Sequence, residues 1–184
     1  MAQTKKPAYK AAALDASTPV KNAAATPEEW PRFSWPHMYL GALGVAISLY
    51  AFLVHRRVKA GGDSGCGFTE TINCDKVLSS QYATIFGIPL GAFGMVYFAV
   101  VILLAVTTNR NITRRQESSQ RLAFASLGLA GTAVLSYISY GILKVACPIC
   151  MATHATILAI FGVSLWQFLK VRKTAVADGT LNDA

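Results

Sequence analysis

Acidic side chains are scarce in this 184-residue chain: 9 Asp and Glu stand against 17 Lys and Arg. Charged residues of both signs make up only 14% of it, 53% is hydrophobic, and the mean hydropathy is +0.41. That shortage excludes an ordinary soluble domain, which is about 25% charged. Asp, Glu, Lys and Arg are missing altogether from four runs: His37–Val54, Ile85–Thr107, Leu122–Leu143 and Val145–Leu169. Each is about 18–25 residues long, enough for a helix to cross roughly 30 Å of hydrocarbon. The expected fold is therefore all-α, an integral membrane bundle of four transmembrane helices.

Cysteine is scarcer still. Cys66 and Cys74 lie in a polar, glycine-rich loop, and Cys147 and Cys150 form C-P-I-C at the head of the last run. Met151, not His, follows the C-P-I-C motif, so the signature of a c-type haem is absent. Only one of the two pairs is closely spaced, which argues against a four-thiolate zinc centre, and no metal is expected. Two passive structural disulfides would also account for four cysteines. Their confinement to one membrane mouth and the loop beside it favours electron transfer through disulfides.

The net charge of +8 does not call for nucleic acid, because the basic residues sort by topology. Twelve fall in the N-terminal tail, between the second and third runs, and after the fourth. Five (Arg56, Arg57, Lys59, Lys76, Lys144) fall on the other side. The excess of positive charge marks the cytoplasmic face, which puts the cysteines outside, where disulfides persist. Arg56 and Arg57 run against this trend. Residues 1–34 have no apolar periodicity and are expected to be a disordered cytoplasmic tail without a secretory signal. The membrane domain is expected over 35–170, with a cytoplasmic tail over 171–184. The outer loop, about 55–84, should carry a short interfacial helix starting at Cys74 and capped near Asn73. The sequon at Asn111 would face the cytoplasm and be silent.

Pro148 suits the first position of a helix, which makes Cys147 its N-cap and favours a thiolate there. Positions 147, 150 and 154 share one helix face, so His154 joins the two thiols as a candidate. It could hydrogen-bond a quinone oxygen or pass it a proton. The plainer reading makes it a buried packing residue bonded to a carbonyl, Ser or Thr.

The order Cys66-x7-Cys74-Asp-Lys-Val-Leu-Ser-Ser80, then Ile85-Phe86-Gly87, then Cys147-x2-Cys150, resembles the vitamin K epoxide reductase family and its bacterial homologues. The similarity spans about residues 37–169. It implies a four-helix bundle around a quinone of the ubiquinone, menaquinone or phylloquinone type. Cys147 and Cys150 would be the active-site pair, with Cys150 beside the quinone, and Cys66 and Cys74 the shuttle pair. Ser80 would support the site and Phe86 would line the quinone pocket, with Tyr140 as a further supporting residue. Two positions depart from animal members: Ala83 stands where they carry Asn, and His154 where they carry Tyr. Both departures disfavour vitamin K epoxide as substrate. Many bacterial members carry a fused thioredoxin-like domain, and none is expected here. The redox partner would be a separate thioredoxin-like protein of the periplasm or lumen, and the membrane a bacterial inner membrane or, alternatively, the endoplasmic reticulum. The resulting expectation is a thiol:quinone oxidoreductase supporting disulfide formation. Its alternatives are an animal-type epoxide reductase and a non-catalytic membrane scaffold.

Overall fold

A computed structural model describes residues 34–67, 69–107 and 114–177; the expected N-terminal tail and the sequon lie outside them. The first apolar run forms α1, Trp35–Lys59, with Pro36 in its first turn and Arg56, Arg57 and Lys59 in its last. Proline fits the first turn because no amide there needs an intrahelical partner. Short α2, Cys74–Ser79, is capped by Asn73, whose side-chain oxygen accepts the Lys76 amide at 3.2 Å.

The second run does not form one helix. Its start folds as a hairpin of β1, Thr84–Ile85, and β2, Ile88–Pro89, paired antiparallel. Phe86 and Gly87 form the two-residue turn at φ 51° and 80°. Tight hairpins need positive φ at both central positions, which Gly87 adopts freely and Phe86 does not. Pro89 therefore closes the hairpin instead of bending a helix. Helix α3 spans only Leu90–Val106. At 17 residues it measures roughly 25 Å, short of the roughly 30 Å hydrocarbon layer.

The third run becomes α4, Arg114–Ser136, followed by a wider π-helical turn over Tyr137–Ile142. The fourth becomes α5, Pro148–Ala177, which continues as helix into the stretch expected as tail. Three of these helices (α1, α4 with its π turn, and α5) are long and apolar enough to cross a membrane, and α3 is a shorter apolar helix.

Helix α1 packs on α3 and α5, and α4 packs on α5. The chain runs up and down between two ends. At one end the start of α1 meets the ends of α3 and α5. There the Ser34 amide donates to the Ala105 carbonyl, and His37 bonds Ser34 Oγ at 2.7 Å and Ser164 Oγ at 2.8 Å. All of this is buried polar capacity that is met, as apolar surroundings require. Trp35 stacks on Tyr39 and Lys170 lies over Trp166 at the same end, the aromatic and basic pattern of a membrane interface. Large apolar side chains such as Leu49, Leu53, Leu158 and Leu165 face outward along α1 and α5. An apolar outer surface on helices of this length is what a bilayer, not water, stabilises.

Candidate active site

The opposite end holds all four cysteines. After the π turn the chain reverses through Leu143–Cys147, with Lys144 at φ 53°. Ser139 fixes this reversal: its amide-side carbonyl accepts the Val145 amide, and its hydroxyl donates to the Val145 carbonyl at 2.6 Å. The outer loop is bonded to the same reversal by main chain alone. Ala146 donates to the Thr71 carbonyl at 2.7 Å, and Asn73 donates to the Ala146 carbonyl at 3.1 Å. These two bonds flank Cys74 and Cys147 in sequence and bring them together. Asp75 braces the first half of the loop by accepting the Ser64 amide at 3.0 Å.

Cys66 and Cys74 are joined as a disulfide, with Cα atoms 5.6 Å apart. Cys147 and Cys150 are free thiols. The Cys147 thiol donates to Cys74 Sγ at 3.6 Å, and the Cys150 amide donates to Cys147 Sγ at 3.4 Å. The second bond is an N-cap made by sulfur, since Cys147 immediately precedes α5. Hydrogen bonding from the Cys150 thiol, helped by the Cys150 and Ile149 amides, holds the Cys147 pKa below the ordinary thiol range, while burial opposes this. A depressed pKa favours the thiolate, the form that exchanges with disulfides. Val54, Leu78 and Ile149 pack with Cys66, Cys74 and Cys147 into one buried cluster.

Below this cluster lies a cavity of about 310 Å³, walled mainly by apolar side chains of α1, α3, α4 and α5. Of the residues singled out from the sequence, Ser80, Ala83, Cys150 and His154 line it. Cys147 does not. The helix face expected to carry 147, 150 and 154 together is divided, because Cys147 caps the helix and turns to the loop. Ser80 also donates to the Val77 carbonyl at 2.7 Å, closing α2. His154 Nδ1 bonds Ser136 Oγ at 3.1 Å, which supplies the hydroxyl partner of the packing reading while leaving the ring on the cavity wall.

Two expected pocket residues are elsewhere. Phe86 is 98% exposed at the hairpin tip, because the turn points it away from the bundle. Phe93 and Gly94, a second Phe-Gly pair, line the cavity in its place. Tyr140 is half-exposed and off the cavity, since the π turn presents Ile138 and Ser139 to it. His55, Tyr97 and Thr132 also line the cavity without having been singled out. His55 stands beside Arg56 and Arg57 and reads as the start of the outer loop. Tyr97 and Thr132 sit inside apolar runs, where their polar atoms were the available signal.

Loop disulfide, helix thiols and cavity follow one another in space, from the outer loop to a buried apolar chamber. The sequence pattern of the vitamin K epoxide reductase family matches residues 35–165. The chain belongs to that family, a family of membrane oxidoreductases that use quinone substrates. It is an oxidoreductase and an integral membrane protein. Among the described residues no group of His, Cys, Asp and Glu could hold a metal ion.

Proposed function

We propose that this protein is a four-span membrane thiol:quinone oxidoreductase of the bacterial type. It takes electrons from a separate thioredoxin-like protein and supports disulfide formation in exported proteins. The observation that carries this reading is the 3.6 Å separation of Cys74 and Cys147, with Cys150 next on the cavity wall.

In the proposed cycle the partner's dithiol reduces Cys66–Cys74 and leaves as a disulfide. The Cys74 thiolate then attacks the Cys147 sulfur of a Cys147–Cys150 disulfide. That bond breaks, Cys150 leaves as thiolate, and a Cys74–Cys147 disulfide forms. Cys66 resolves it, which restores Cys66–Cys74 and frees Cys147. Two electrons and two protons then pass from the Cys147–Cys150 dithiol to a quinone in the cavity, giving quinol and the helix disulfide. Purified protein in detergent should form quinol from ubiquinone or menaquinone when given a reduced thioredoxin-like protein. Comparison with vitamin K epoxide separates the animal-type reaction, and no turnover with any acceptor would leave the scaffold reading.

The His154 ring is expected to donate to a quinone oxygen. Removing one such donor costs around a hundredfold in rate. His154→Tyr should therefore retain more quinone reduction than His154→Phe or His154→Ala. Equal rates across the three variants, with differences only in melting temperature, would return His154 to a packing role.

The charge split supports an orientation with both termini in the cytoplasm and the cysteines on the periplasmic side of a bacterial inner membrane. An impermeant thiol reagent added to intact, reduced cells is expected to label Cys66 or Cys74. A reporter fused after Lys173 is expected to be active only in its cytoplasmic form. A C-terminus on the outside would reverse the orientation and the redox compartment with it.

A further inference from the structure

Three buried side-chain polar atoms among the described residues have no hydrogen-bond partner: His55 Nδ1, Tyr97 Oη and Thr132 Oγ1. All three residues line the one cavity. His55 is 5% exposed and Thr132 7%. Among the described residues the other buried side-chain N and O atoms are met, as the His37 network illustrates. An unmet buried polar group costs about 1–3 kcal/mol, so three on one chamber need a common reason.

Their placement supplies it. His55 sits one turn from the outer end of α1 and interacts with the main chain of Leu78 in α2. The Tyr97 hydroxyl lies against α4, where a Cβ on Gly128 would come within 2.1 Å of it. Thr132 is one turn further along that face of α4. Stacking on Phe124, with centroids 5.0 Å apart, fixes the Tyr97 ring. Unspent hydrogen-bonding capacity thus stands at two levels of the chamber, His55 near the outer end of α1 and Tyr97 with Thr132 deeper along α3 and α4. Gly91, Gly94, Gly128 and Gly131 also line the chamber. The matching ligand is flat, largely apolar, and carries an oxygen at each end.

We propose that His55 near the outer end of the chamber and Tyr97 with Thr132 deeper in it are the polar anchors of the cavity's ligand, gripping the two opposed oxygens of a para-quinone head group. This rests on the quinone reading of the cavity and assigns its binding residues. The hydroxyls of Tyr97 and Thr132 donate to one quinone oxygen, and His55 Nδ1 donates to the other as its N–H tautomer or, unprotonated, accepts from the quinol hydroxyl. A ring held at both ends has one orientation, which presents the same edge to Cys150 on every turnover.

The test is direct binding of ubiquinone-1 and of menadione to purified protein in detergent, with the KM for each and the melting temperature of the quinone-free protein. Tyr97→Phe and Thr132→Val delete one oxygen apiece without changing shape. His55→Leu deletes the imidazole, and His55→Asn keeps a polar atom near the Nδ1 position. Each deletion is expected to weaken binding about tenfold, equivalent to ~1.4 kcal/mol, and to raise KM with it. Quinone-free Tyr97→Phe and Thr132→Val should melt no lower than wild type, because an unmet polar atom has been removed. His55→Asn should recover part of what His55→Leu loses. Unchanged binding in all three deletions, with wild type binding quinone, would overturn the anchors and leave the quinone reading intact. Weakened binding that merely tracks a fall in melting temperature would also overturn them. Wild type binding neither quinone would overturn both.

Discussion

Cys150→Ala is expected to abolish quinone reduction with every thiol donor, protein or small molecule. The reason is positional: Cys150 lines the cavity, while Cys66, Cys74 and Cys147 do not. Cys147→Ala should be equally inactive, because it removes the sulfur that touches Cys74. Cys66→Ala and Cys74→Ala should lose turnover with a protein donor. A small membrane-permeant dithiol should bypass the loop and restore part of it. The contact can also be captured. In Cys66→Ala, Cys150→Ala the remaining thiols are Cys74 and Cys147, 3.6 Å apart in the parent structure. Mild oxidation with diamide should join them, and peptide mapping should find a reducible Cys74–Cys147 link. Near wild-type quinone reduction by Cys150→Ala, or failure of that link to form, would sink the relay.

Gly44→Ala is expected to be the most damaging single-methyl change in the bundle. A Cβ at Gly44 would lie 2.2–2.4 Å from three ring carbons of Phe98, far inside the roughly 3.5–4.0 Å of normal carbon contact. Phe98 is fully buried and cannot swing aside. Its ring meets Tyr97 edge-on at 5.2 Å, so displacement passes to a cavity residue. Overpacking of this kind costs about 1–3 kcal/mol. Thermal unfolding in detergent should show a clear drop in Tm, together with a raised KM for quinone. Gly162→Ala is the control: its Cβ meets nothing within 4 Å, and alanine is the better helix former. Its Tm should hold or rise. Equal Tm values for the two variants would show that α1 and α3 are not held as close as described.

The placement of the four cysteines was legible in the sequence. Spacing alone separated the C-P-I-C pair from the loop pair, and Pro148 marked the helix start that makes Cys147 a cap. Asn73 was likewise readable as the cap of α2. The second apolar run misled because hydropathy does not distinguish strand from helix over six residues. The turn Phe86-Gly87 was a hairpin signal only in its glycine, and a phenylalanine at positive φ is uncommon enough to hide it. Locating the pocket on that Phe-Gly drew attention from Phe93 and Gly94, seven residues on. His55, Tyr97 and Thr132 were invisible for a different reason: a polar group becomes informative only when its neighbours are known to leave it unmet.

Three of the four sulfurs, those of Cys66, Cys74 and Cys147, are buried in one apolar cluster. The effect is insulation. A thiol or oxidant in solution reaches these three sulfurs when the loop lifts, so their exchange follows the opening of the loop. Lifting the loop from Ala146 gives up two main-chain bonds, Ala146 to Thr71 and Asn73 to Ala146. Access to the sulfurs is then set by a mechanical contact that has to be broken, separately from the reduction potentials that set the direction of any exchange.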